Sequence, residues 1–129
     1  MRNNAKLAIK LMVVGALLIL SASAYAHHGA AAYEMGKTTT LTGTVTGFQF
    51  VNPHVLIAMD VKDPSTGNVA KWQGELTSPN RLSRAGWTKS SLKPGDQITV
   101  TGGTNKNGSL TMWINKVVKD GQELPLGAE

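Results

Sequence analysis

The chain has 129 residues, no cysteine and a formal charge of +5. That length suits one domain, and the lack of cysteine excludes disulfides, a lipoprotein anchor and thiolate chemistry. Three of the thirteen basic residues, Arg2, Lys6 and Lys10, precede an apolar run; without them ten basic and eight acidic side chains remain, near +2 and scattered, which gives no electrostatic case for nucleic acid.

Leu11 to Leu20 is that apolar run. It is too short to cross a bilayer as a helix, which takes ~20 residues. Small residues follow from Ser21 to Ala26, so residues 1–26 read as a secretory signal peptide. Cleavage after Ala26 leaves His27 first; cleavage after Ala24 leaves Tyr25 first. The expectation is a periplasmic or secreted protein with no membrane span after cleavage. Residues 27–37 are rich in small side chains and lack strand periodicity, and are expected to be a flexible leader.

Residues 38–129 are expected to form the domain. In Thr38 to Val51, threonines at 38, 40, 42, 44 and 46 alternate with Leu41, Gly43, Val45 and Gly47. The bulky positions then shift to Phe48 and Phe50, so a bulge is expected at Gly47. Asn52-Pro53 stops the strand. In the second strand, His54 to Val61, the residues Val55, Ile57, Met59 and Val61 make one face. Asp63 to Gly67 is a turn cluster. Asn68 to Leu76 is the third strand, with Trp72, Gly74 and Leu76 on one side. Ser78 as N-cap, Pro79 at the first helical position and Gly86 as stop bracket one short helix. Pro94-Gly95 is a turn, Gln97 to Thr101 the fourth strand, and Gly102-Gly103 a turn at its end. Asn107-Gly108 signals a hairpin into Ser109 to Val118, the fifth strand. Glu123-Leu124 can extend a sheet edge.

The order β-β-β-α-β-β predicts a mainly β fold, a small five-stranded OB-like barrel with one short helix between strands 3 and 4. An open meander with a helix across one face is the alternative. The ligand surface of an OB-like barrel includes strands 2 and 3 and the loops that here carry Asn52-Pro53-His54 and Asn105-Lys106-Asn107.

No nucleophile elbow, phosphate-cradling loop or spaced carboxylate pair is present, so nothing points to a catalysed reaction. The histidines carry the functional leverage. A terminal His27 offers its α-amino and ring nitrogens to one ion, and His28 stands beside it. Nitrogen ligands in tetragonal geometry favour Cu(II) or Ni(II), with copper highest in affinity. Solvated leader residues are the alternative. His54 is the candidate third ligand, or else a loop histidine bonded to Asn52 or a backbone carbonyl. The leader reaches ~36–40 Å when extended, and a straight first strand would place His54 up to ~46 Å away. Bending at Gly47 is therefore needed for one molecule to join them. A second reading is a non-catalytic module for a small ligand or an envelope protein, using Asn52, His54, Trp72 and Glu75. The tryptophans 72, 87 and 113, with Phe48 and Phe50, are either a stacking platform or core. Glu75 is either exposed or hydrogen-bonded to the loop after the helix.

Taken together, His27-His28-Gly29, Leu41 to Val45, Asn52-Pro53-His54, Trp72, Glu75-Leu76, Ser78-Pro79-Asn80, Gly86-Trp87 and Leu92 to Asp96 resemble a family of small exported bacterial proteins catalogued as a domain of unknown function. Members commonly carry Ser and Phe after the His pair, where this chain has Gly29-Ala30. The resemblance implies an exported OB-like β-barrel and supplies no activity, substrate or catalytic residue.

Overall fold

The computed structural model describes residues 28–127. The expected signal peptide and His27 lie outside them. Residues up to Ala31 form a unit of their own, whose described part is helix α1, His28–Ala31. The second unit, from Ala32 onward, contains β1 (Tyr33–Gln49), β2 (Leu56–Lys62), β3 (Val69–Glu75), helix α2 (Pro79–Arg84), β4 (Gln97–Asn105), β5 (Thr111–Lys119) and β6 (Gln122–Leu124).

The strands run antiparallel in the order β3-β2-β1-β4-β5-β6, and a parallel pairing of β3 with β5 closes five of them into a ring. Closure depends on β1, which begins five residues before Thr38 and is long enough to serve two neighbours. Its residues from Tyr33 to Thr44 pair with β4, and those from Thr44 to Gln49 pair with β2. A register shift falls between Val45 and Gly47, where the change of phase places the bulge. Such an insertion bends the strand and raises its twist.

Alternation sorts the side chains. Val55, Ile57 and Met59 are fully buried and so is Leu76. The threonines of β1 face outward and pair with those of β4, Thr40 with Thr101 and Thr42 with Thr99, each at 2.9 Å. Ser78 Oγ accepts from Arg81 N, Pro79 starts α2, and Gly86 takes φ +95° just after it. Leu82 is fully buried and anchors the helix; burying such a side chain contributes roughly 1.5–3 kcal/mol. Trp87 is buried and donates Nε1–H to Pro125 O at 2.7 Å. Phe48 packs on both Trp87 and Phe50, with ring centroids 6.0 Å apart in each pair. These aromatics serve packing.

One expectation fails. Gly102 and Gly103 are not a turn; they lie inside β4 and are buried. A Cβ on Gly102 would stand 1.9 Å from Trp113 O, and one on Gly103 would stand 2.6 Å from Glu34 O. Glycine is used here so that β1, β4 and β5 can approach one another. In β5 a second bulge falls at Asn115, which is skipped between the pairs Gly102–Ile114 and Thr101–Lys116. Asp120 and Gly121 both take positive φ and turn the chain into β6, as a two-residue hairpin requires.

Candidate functional site

Closure of the ring gathers four side chains that are far apart in sequence. Glu75 ends β3, opposite Leu56 of β2 and beside Trp113 of β5. Backbone bonds between Val55 and both Leu76 and Thr77 hold the residue before β2 against the end of β3. His54 precedes Val55, just past the cis peptide Asn52-Pro53, and is thereby set opposite Glu75. Tyr33 opens β1 opposite Asn105, and the adjoining Ala32 carbonyl accepts from Lys106 N. The close approach of Glu34 to Gly103 seats this end of β1.

The four groups form one cluster. His54 Nδ1 bonds Glu75 Oε1, and the Tyr33 hydroxyl donates to Glu75 Oε2 at 2.8 Å. His54 stands edge-on to Trp113, with ring centroids 5.0 Å apart at 89°. Tyr33 packs on the same indole at 6.2 Å. Tyr33 is 7% exposed, whereas the His54 and Glu75 side chains keep 30% and 20% of their surface.

Chemistry follows from the hydrogen-bond roles. An ionised carboxylate only accepts, so the proton on the bonded nitrogen of His54 sits at Nδ1. In the neutral ring Nε2 then carries the lone pair. The carboxylate sets both the tautomer and the ring orientation, and Trp113 restricts its tilt. Such an imidazole is prepared to ligate a metal ion or accept a proton.

Of the candidates read from sequence, the structure joins His54 and Glu75. Glu75 is held by His54 and Tyr33, not by the loop after the helix. Asn52 is exposed and does not bond His54. Trp72, an odd number of residues from Glu75, points to the opposite face and packs against the core. Among the described residues no three His, Cys, Asp or Glu side chains gather as a metal-binding group. A straight first strand would begin up to ~46 Å from His54; β1 has its bulge between Val45 and Gly47, and its first residue, Tyr33, shares Glu75 with His54. Tyr33 went unread as a site residue: it falls in the stretch taken as leader, and its lone aromatic ring was the available signal.

Burial, then the hydrogen bond and the charge of Glu75, push the Tyr33 phenol above the ordinary tyrosine value, because its ionisation would set a second anion against Glu75. The folded state thus favours the protonated phenol. Its contribution to stability is complete below the unfolded pKa and is lost as pH rises through the folded one. With Tyr25 changed to Phe, an absorbance titration is expected to show Tyr33 ionising late, and Glu75→Gln to bring it back toward normal. An ordinary midpoint in the parent chain contradicts this.

The model of a family described as a family of unknown function, DUF6152, matches residues 15–114. The chain belongs to that family. No curated protein matches this DUF6152 chain in sequence. Its fold is similar to the mitochondrial single-stranded DNA binding protein Rim1 from S. cerevisiae, with a TM-score of 0.50 at 7% identity over 65% of this chain and 93% of that one. A ZRD-deleted mutant of TiaS in complex with agmatine is similar with a TM-score of 0.45 at 20% identity; the match covers 72% of this chain and 25% of that protein.

Proposed function

We propose that this DUF6152 protein is an exported, OB-like metal-binding accessory protein, with copper as its ion and His54 Nε2 as the ligand supplied by the domain. The single observation behind the reading is the Glu75 carboxylate on His54 Nδ1, since metal-ligating histidines almost always give their other ring nitrogen to such an acceptor. The five-stranded ring with its helix between strands 3 and 4 supports the OB-like description. The basic start, apolar run and small-residue tail of residues 1–26 support export.

His27 and His28 supply the further nitrogen ligands in this reading. Six residues of chain separate His27 from Tyr33, at most about 20 Å, so covalent connectivity permits both histidines to share an ion with His54. The scattered, near-neutral charge of residues 27–129 argues against carrying over the DNA binding of the fold relative.

The test uses protein produced by genuine export, its first residue confirmed by intact mass, titrated with Cu(II) by calorimetry. One ion per chain is expected, with binding about a hundredfold or more weaker in His54→Ala and in His27→Ala, as loss of a primary ligand implies. Unchanged affinity in His54→Ala overturns the role of the domain. Binding no tighter than that of an exposed His pair overturns the whole reading.

A further inference from the structure

Trp113 also walls a separate cleft of about 210 Å³, shared with Thr77, Arg81, Ile114, Asn115 and Leu126. Three local features build it. Buried Leu82 fixes α2, and with it the neighbouring Arg81. The bulge at Asn115 breaks the pairing of β5 and leaves that residue exposed at the rim. The bond from Trp87 to Pro125 holds the segment after β6, so that Leu126 packs against the core.

Arg81 is poorly provided for in this place. Its Nη2 donates to Gly127 O at 3.2 Å. Its Nε is buried and has no hydrogen-bond partner. Among the described residues no carboxylate pairs with it; Asp60, Glu123 and Asp96 pair with Lys71, Lys116 and Lys119, and Glu75 is held by His54 and Tyr33. A guanidinium presents Nε–H and Nη2–H side by side, in a fork that matches the two oxygens of a carboxylate. A single carbonyl oxygen engages one prong and leaves the other bare, which is the arrangement seen with Gly127.

We propose that this cleft binds the carboxylate of a small, largely apolar organic acid, with Arg81 as its anchor. The acid takes the place of the Gly127 carbonyl and satisfies both donors. Its body lies against Trp113, Ile114 and Leu126, with the Thr77 hydroxyl and Asn115 amide at the polar edge. The site uses neither His54 nor a metal ion, so it stands or falls independently of the copper reading.

The test titrates the full mature chain, without metal, with acetate, benzoate and phenylacetate, each beside its uncharged amide, and with inorganic phosphate. Calorimetry and tryptophan fluorescence report binding. At least one aromatic acid is expected to bind roughly tenfold or more tightly than its amide, the value of a charge-assisted hydrogen bond. Arg81→Met is expected to abolish that preference and Arg81→Lys to reduce it, since lysine lacks the planar fork. Equal binding of acid and amide across the panel overturns the proposal. So does a preference that survives Arg81→Met, or phosphate binding as tightly as the best acid. The acid-against-amide comparison on the unmutated chain decides the matter even if a variant folds poorly.

Discussion

Gly102→Ala is expected to destabilise the domain by roughly 3 kcal/mol or more, enough to leave it largely unfolded if its stability is at the low end for a small domain. The new methyl carbon would stand 1.9 Å from Trp113 O and 2.8 Å from Trp113 C, both backbone atoms of the partner strand. A side chain can rotate away from an intruder, whereas a paired strand cannot move without breaking its ladder. Relief therefore means opening β4 from β5 next to the cluster around Trp113. Urea unfolding followed by tryptophan fluorescence measures the effect. Gly36→Ala is the matched control, because a methyl there meets nothing within 4 Å, and it should fall within about 0.5 kcal/mol of the parent. A Gly102→Ala midpoint equal to that control's would show that β4 and β5 do not pack as closely as described.

Glu75→Gln is expected to weaken Cu(II) binding 10- to 100-fold, the usual consequence of losing the group that orients a ligating histidine. The carboxylate now accepts from His54 and Tyr33 with separate oxygens. An amide of the same shape has one acceptor oxygen and a donating NH₂, so it serves one partner and confronts the other. The orphaned Tyr33 hydroxyl or His54 Nδ1–H should also lower stability by about 1–3 kcal/mol. Calorimetric titration reads the first effect and a denaturant midpoint the second. Their combination is informative: destabilisation with unchanged copper affinity would reduce the His54–Glu75–Tyr33 cluster to a structural bond network. Tyr33→Phe should show a smaller loss in both measurements, because the His54–Glu75 bond survives it.

Much of the frame was legible in the residues. The threonine alternation, the change of phase before Phe48, the Ser78-Pro79 start and the Gly86 stop each encode a local choice, and each appears in the structure where its chemistry places it. Two further local signals were present and unread. Burial passes from Met112 and Ile114 to Val117, a second change of phase that marks the bulge at Asn115. Asp120-Gly121 is a hairpin pair, and it leads into the edge strand at Glu123-Leu124. Gly102-Gly103 was misread because glycine serves turns and close strand contacts alike, and only the neighbouring backbone distinguishes them.

By itself, then, the sequence determined the order of the elements, the alternation along most strands and His54 as a candidate ligand, all of which depend on residues a few positions apart. The tertiary structure alone decided that Glu75 holds His54, that Tyr33 belongs to the domain and completes the cluster, and that Arg81 meets the Gly127 carbonyl with no carboxylate beside it among the described residues. These pairings span 21, 42 and 46 residues. No periodicity extends that far. They exist because a bent first strand and the parallel contact of β3 with β5 close the ring, and closure is a property of the whole sheet.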